Sequence, residues 1–222
     1  MEEINVIIPA YNEEDTIGAV IDLVYECDLK CKAIVVDNDS SDNTSKVALE
    51  KGATVIECKQ KGKGYAMEVG LQNATSDIVV YLDADIIDYH SNIIHLLVDP
   101  IIHRDCDLVK SSFEREAGGL VTEIATKPLL EVLFPDMYRY QEPLSGMIAA
   151  KKSFLEKITF EKDYGVDIGI VIDAYNLNAK VEEVNIGRFE NKSHLKKTKE
   201  VMRNMSLEVT KSIVKKYNEI RK

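Results

Sequence analysis

Ile4-Asn5-Val6-Ile7-Ile8-Pro9 runs into the polar stretch Ala10-Tyr11-Asn12-Glu13-Glu14-Asp15, and apolar residues then recur at Ile17, Val20, Ile21 and Val24. A short apolar run that ends at a proline reads as a buried strand, and the three-four spacing after it reads as one face of a helix. The unit is strand, loop, helix. It repeats at once: Lys32-Ala33-Ile34-Val35-Val36-Asp37 as strand, residues 38–43 as a loop rich in capping side chains, and residues 44–51 as helix. Residues 54–57 make a third strand, 64–73 a third helix after a Lys-Gly loop, and 77–83 a fourth strand. This rhythm predicts a doubly wound α/β sheet, whose ligands collect beyond the carboxyl ends of the strands. The polar loops 9–14, 37–42, 59–63 and 83–85 should therefore converge on one rim.

Beyond residue 90 the pattern loosens. A helix is expected over 91–104, a strand near 107–112, helical stretches over 120–134, a segment 144–149 leading to a helix that ends near 157, a helix over 165–178 and a last strand over 181–186. Residues 194–222 read as a helical tail with apolar Val201, Met202, Met205, Val209, Ile213 and Tyr217. We read one domain over 1–195, with a nucleotide-sugar-binding half (1–90) and an acceptor half (91–195), and a helical extension over 196–222.

A chain of 222 residues can bury the core of one such domain. Its net charge of -10 argues against a nucleic-acid partner, which would need clustered Lys and Arg. An acidic protein that handles phosphates needs a cation between the two, which points to a divalent metal held by Asp or Glu. Cys27 and Cys31 form a C-x3-C pair without a second pair or a histidine at zinc-site spacing, so no structural zinc is expected. No run approaches the roughly 18 apolar residues of a membrane span, and a cytoplasmic location is expected.

Asp83-Ala84-Asp85 carries the most chemistry, because alternate carboxylates at a strand end can turn toward one cation. Paired acids are also common as solvated strand edges; the position after the fourth strand favours the functional reading. Asp37, Asp39 and Ser40 offer acceptors for a base edge and ribose, and equally for an Asx-turn and helix cap. Pro9, Ala10, Tyr11, Asn12 and Glu13 form a second candidate base or ribose site, with Tyr11 stacking, although Asn12 and Glu13 also suit the first turn of the next helix. Lys59-Gln60-Lys61-Gly62-Lys63-Gly64 places cations and glycines before a helix, as a phosphate cradle would.

The chain resembles family 2 glycosyltransferases of GT-A fold in V-I-I-P-A-Y-N-E-E, V-V-D-N-D-S-S-D-N-T, K-G-K-G and Y-L-D-A-D. Residues 119–130, 141–146 (Q-E-P-L-S-G) and 164–173 further resemble the glucosyl-3-phosphoglycerate synthases. The resemblance implies a mixed sheet flanked by helices, and transfer of a hexose such as glucose from UDP-glucose or a GDP-sugar to a small phosphorylated acceptor such as 3-phosphoglycerate. It implies Mg2+ or Mn2+ held by Asp85 and His194, with Asp83 toward ribose or metal, and Ala84 among the nucleotide-sugar residues. Lys63 would lie by the diphosphate. Asp167 would sit near the acceptor and the reacting carbon, with Gly119, Thr122, Ser145, Gly146 and Tyr164 on the acceptor side. Leu120 stands where these synthases carry an acceptor-binding arginine; Lys127, Arg115 and Arg188 are cations that could replace it. The other readings are transfer to a polyprenyl phosphate at a membrane surface, suggested by the basic tail, and a catalytically silent nucleotide-sugar-binding protein. A homodimer is expected, with the tail packed on the core or on a second subunit.

Overall fold

The computed structural model describes residues 3–114, 119–188 and 198–221. Its centre is a seven-stranded sheet in the order β3-β2-β1-β4-β6-β5-β7. The strands are β1 (Ile4–Ala10), β2 (Cys31–Asp37), β3 (Thr54–Glu57), β4 (Ile78–Tyr81), β5 (Leu108–Glu114), β6 (Ile148–Lys151) and β7 (Val181–Arg188). β6 runs antiparallel to both its neighbours, β4 and β5, while the other pairs are parallel. In the mixed α/β sheet that the motifs imply, the parallel β1 to β4 bring the ends of four loops to the same edge.

Alternation along the strands separates two faces. Val6, Ile8, Ala33, Val35 and Val80 face one layer with α1 (Ile17–Glu26) and α4 (Ile93–Arg104). Ile7, Ile34, Val36, Val79 and Tyr81 face the other with α3 (Lys63–Asn73) and α7 (Val166–Asn176). α2 (Thr44–Glu50) follows β2, and the single turn α6 (Lys152–Leu155) follows β6. α3 lies directly on the sheet at Gly70, where a Cβ would stand 2.4 Å from Ile7 Cγ2.

Three features differ from the sequence expectation. β4 ends at Tyr81, so Asp83 lies in the turn beyond it and not on the strand expected over 77–83. The helix expected over 120–134 is a π-helical stretch, Val121–Thr126, running into α5 (Lys127–Leu133). Pro128 has no amide to donate in the first turn of α5, and the Lys127 amide reaches back to Thr122 O, five residues away, which widens the turn. β6 begins at Ile148, so residues 144–147 stay in the loop before it. The tail forms α8 (Lys199–Ile220), capped by Thr198 Oγ1, which accepts from the Val201 amide. Val209 and Ile213 pack with Ile168, Val171 and Ile172 of α7, and Ser212 Oγ donates to Gly165 O at 3.0 Å. Gly165 permits that approach, since its Cβ would lie 2.8 Å from Ser212 Cβ. Among the described residues no helix is long and apolar enough to cross a membrane.

Candidate active site

The loops after β1 and β2 are laced together. Asn12 N donates to Ser40 Oγ (2.9 Å), Ser41 N to Asn12 Oδ1 (2.8 Å), and Glu13 N to Thr44 Oγ1 (2.8 Å). Asn12 and Asp39 adopt φ of 56° and 65°, the left-handed region that Asn and Asp tolerate best after glycine. Asp37 is buried; its Oδ1 accepts from the Ser40 amide and its Oδ2 from Ser45 Oγ, so the capping role suggested by its sequence context is occupied. Pro9 and Ala10 close β1 in the sheet. Tyr11 projects outward, 51% exposed, with Lys61 Nζ 5.6 Å from its ring centre and 3.6 Å from Asp39 Oδ2.

Asn38 fastens the Lys-Gly loop to this rim. Its amide nitrogen donates to Cys58 O (2.9 Å) and Gln60 O (2.7 Å), and its Oδ1 accepts from Gly62 N (2.8 Å). Gly62 has φ of 137°, and a Cβ at Gly64 would fall 1.6 Å from Glu161 O. The loop therefore enters α3 pressed against the backbone of residues 161–162, and the next side chain, Lys63, points inward.

Lys63 joins the two halves of the chain. Its Nζ donates to Asp83 Oδ1 at 3.0 Å and to Asp167 Oδ2 at 2.9 Å. Burial alone would depress the ammonium, but Asp167 first and Asp83 second outweigh it and hold Lys63 well above the ordinary lysine value. Burial pushes the Asp167 carboxyl up; Lys63 opposes the rise without cancelling it, and Asp83 adds to it. Asp167 Oδ1 is buried with no hydrogen-bond partner among the described residues, which leaves a strong acceptor aimed at the cluster. Asp85 and Ala84 lie in the same turn after β4, Ala84 buried and Asp85 half-buried. Tyr89 donates to Asp83 O at 2.9 Å; burial, then Asp83 and Asp85, keep its hydroxyl protonated well above the usual range. Tyr164, 40% exposed, is also raised, by burial first and then by Asp163, and it feels Lys63, Asp85 and Asp167.

The loop before β6 closes the other side. A Cβ at Gly146 would stand 2.2 Å from Lys63 Nζ, 2.8 Å from Asp83 Oδ1 and 3.2 Å from Asp167 Oδ1. Only glycine brings the backbone this close to the three charges. Ser145 Oγ meets Ser111 Oγ at 2.5 Å, and Glu183 of β7 accepts the amides of Gln141 (3.0 and 2.9 Å) and Glu142 (3.2 Å). Beneath the loop lies Lys110, wholly buried, whose Nζ donates to Glu142 O and stands 3.5 Å from Glu183 Oε1.

The chain and its fold have sequence and structural relatives. The profile of glycosyl transferase family 2 matches residues 5–158. The glucosyl-3-phosphoglycerate synthase of Mycolicibacterium paratuberculosis is 35% identical over 217 residues, covering 86% of this chain and 66% of its own length. That of Mycobacterium tuberculosis is 36% identical over 211 residues, 83% of this chain and 65% of its own. The chain belongs to glycosyltransferase family 2. The crystal structure of the M. tuberculosis synthase with phosphoglyceric acid superposes with a TM-score of 0.91 at 32% identity, over 98% of this chain and 80% of that one. Its complex with Mn2+, UDP-glucose and phosphoglyceric acid gives 0.90 at 32% identity over the same shares. The GT-A fold is thus established, and the chain spans just under two thirds of the length of the curated relatives it matches.

In this family 2 chain, Gly119 begins the connection to the π-helical stretch, Leu120 is 54% exposed, and Thr122 is buried. Beside them a cleft of about 400 Å³ is lined by Phe113, Glu114, Glu123, Lys127, Gln141, Glu142 and Arg188. Lys127 pairs with Glu123 at 3.0 Å and Arg188 Nε with Glu114 at 3.0 Å. His194 and Arg115 lie outside the described residues. The sequence reading missed Tyr89, Lys110 and Glu183. Lys110 had a signal, a lysine inside an apolar strand; Glu183 and Tyr89 had none, since what recruits them is contact across the fold.

Proposed function

We propose that this chain is a metal-assisted glucosyltransferase, which moves glucose from UDP-glucose or a similar nucleotide diphosphate sugar to a hydroxyl of a small phosphorylated acceptor of the 3-phosphoglycerate kind. The observation that carries this reading is Lys63, one ammonium held between Asp83 of the rim and Asp167 of the second half. A cation there can take up charge growing on a departing diphosphate, while Asp167 orients the incoming hydroxyl beside it. Gly146 keeps the acceptor loop against that point, and Tyr11 with Asp39 and Ser40 lines the mouth where a base and ribose would rest.

The carboxylates of Asp83 and Asp85 are hard oxygen donors at a strand end, and Asp83 gives Oδ1 to Lys63; that donor set fits Mg2+ or Mn2+. Asp85 and Asp83 would hold the ion, with His194 as a further ligand, and the ion would supply charge neutralisation to the leaving group. Relatives support the choice: M. tuberculosis synthase structures carry Mn2+ with UDP-glucose and phosphoglyceric acid, and Mg2+ with UDP.

The cleft lined by Lys127 and Arg188 offers a phosphorylated acceptor two cations, provided that its phosphate displaces their partners Glu123 and Glu114. Transfer to a polyprenyl phosphate has less support, since the apolar face of α8 is already packed on α7. We also read the enzyme as a cytoplasmic homodimer; scattered thiols suit a reducing compartment, and exposed Leu120, Ile124 and Val132 offer an apolar row for a second copy, which sedimentation would detect. The test of function is incubation with UDP-glucose and Mn2+, with and without 3-phosphoglycerate, reading UDP release and a glucosylated product by mass spectrometry. A failure to turn over any of a panel of nucleotide sugars and phosphorylated acceptors would leave the silent-binder reading in its place.

A further inference from the structure

The end of the sheet opposite Lys63 holds a second group of side chains with metal-binding chemistry. Cys27 ends α1, Asp28 follows it, and Cys31 opens β2 opposite Ile4 of β1. His95 comes from the first turn of α4, which packs on the same face of the sheet as α1. Cys27 Sγ, an Asp28 carboxylate oxygen and a His95 ring nitrogen all lie within 4.8 Å of one another. His95 Nε2 meets Asp28 Oδ1 at 2.5 Å, and Cys27 and Cys31 are both free thiols of intermediate burial.

A tetrahedral zinc has bonds of about 2.3 Å to sulfur and about 2.0–2.2 Å to nitrogen and oxygen, so its ligands stand roughly 3.3–3.8 Å apart. The Cys27 donor needs to close by at most about 1–1.5 Å and the His95–Asp28 pair to open by about 0.8 Å to reach that spacing, shifts that side-chain rotation supplies where Asp28 is 84% exposed and His95 37%. Cys31, at a C-x3-C spacing from Cys27 inside the usual C-x2–4-C range, stands outside this group of three and would have to turn toward it to serve as the fourth ligand. Thiolates with an imidazole select zinc over the magnesium or manganese suited to Asp83 and Asp85. Cys27 and Cys31, like half-buried Leu29 and Leu96, pack against the buried core on the α1 and α4 side of the sheet. The sequence argued against zinc because no histidine lay at finger spacing; the fold supplies His95 from a distant helix.

We propose that Cys27, Asp28 and His95, with Cys31 as the candidate fourth ligand four residues after Cys27, form a structural site for a thiophilic divalent cation, zinc above all, which staples the α1–β2 connection to the start of α4. The site is separate from the reaction centre and independent of the activity proposed above. α4 follows the turn that carries Asp83 and Asp85, so a staple at His95 would also anchor the far end of that connection.

The test uses the full chain, purified with reductant and stripped by chelator, then titrated with ZnCl2 by calorimetry and with Co2+ by absorption. The expected result is one zinc per chain at this site, a tetrahedral thiolate spectrum with Co2+, and a higher Tm with zinc. Asp85→Asn should retain all three. His95→Asn and Cys27→Ser/Cys31→Ser, checked for folding by circular dichroism, should weaken zinc by more than the roughly 10–100-fold cost of losing an outer-shell partner. Zinc uptake that is unchanged in these variants, or lost in Asp85→Asn alone, overturns the proposal. So does a Cys27–Cys31 disulfide that persists in reductant while zinc is not taken up.

Discussion

Replacing Lys63 by Met removes one charge and almost no volume, and so isolates what the ammonium does. Two contacts are lost, at 3.0 Å to Asp83 and 2.9 Å to Asp167. With an effective dielectric of about 20, each is worth roughly 5–6 kcal/mol before desolvation. Desolvation offsets most of that in the native pair, but removing one partner leaves the others stranded, which costs about 3–5 kcal/mol. Asp167, 8% exposed, bears more of this than Asp83 at 26%. Burial already raises Asp167, and without Lys63 its folded value rises further. A group raised in the folded state binds protons more tightly there than in the unfolded chain, so stability falls as pH climbs from the unfolded carboxyl value, about 3.9, through the folded one. The Lys63→Met deficit should therefore be smaller at pH 5 than at pH 8. Urea denaturation in metal-free buffer measures it, and Lys63→Met/Asp167→Asn should recover roughly 2 kcal/mol of the single variant's loss at pH 8. Turnover of UDP-glucose should drop about 100- to 1000-fold, the usual cost of one charge-stabilising donor. A Lys63→Met chain destabilised by less than about 1 kcal/mol at pH 8, with strictly additive effects in the double variant, would refute the linked cluster.

Gly64→Ala should lose about 3 kcal/mol or more, or fail to fold, because its Cβ would meet backbone Glu161 O at 1.6 Å; thermal denaturation measures this. Gly146→Ala should keep the fold yet lose most turnover, as the new methyl displaces the Lys63 ammonium from Asp83 and Asp167; circular dichroism beside a UDP-release assay separates the two. Glu183→Gln should lower stability by about 1.5–3 kcal/mol and raise KM for the acceptor but not for the donor, since Glu183 holds the Gln141 and Glu142 amides and faces buried Lys110. Chelation should abolish transfer, Mn2+ or Mg2+ should restore it, and UDP should raise Tm only when the metal is present.

Much of the first half is legible residue by residue. Val6 and Ile8 alternate with Ile7, and the strand they imply is β1; the polar loop after Asp37 turns on its carboxylate, which accepts from Ser40 N and Ser45 Oγ, while Asn43 at the start of α2 makes no side-chain cap bond. The turn at Asp83 to Asp85 likewise falls at the end of a strand, as the apolar run before it requires. The second half is less legible because its elements answer to partners far along the chain. Residues 120–126 carry a helical pattern, but Pro128 shifts the hydrogen bonding to a π turn. Residues 144–147 carry no pattern that assigns them an element; Glu183 and Lys110 hold the backbone just ahead of them, and Gly146 comes to rest against the Lys63 cluster.

Local periodicity and turn chemistry act over a few residues, so the amino-acid order alone determined the α/β alternation, the four polar loops at one rim and the acidic pair after β4. Electrostatic partners and close backbone contacts act through space. Only the folded chain decided that Asp167 would reach the Lys63 ammonium across 104 residues of sequence and share it with Asp83, that Gly146 would be the one residue able to stand against them, and that His95 would come to rest beside Cys27 and Asp28.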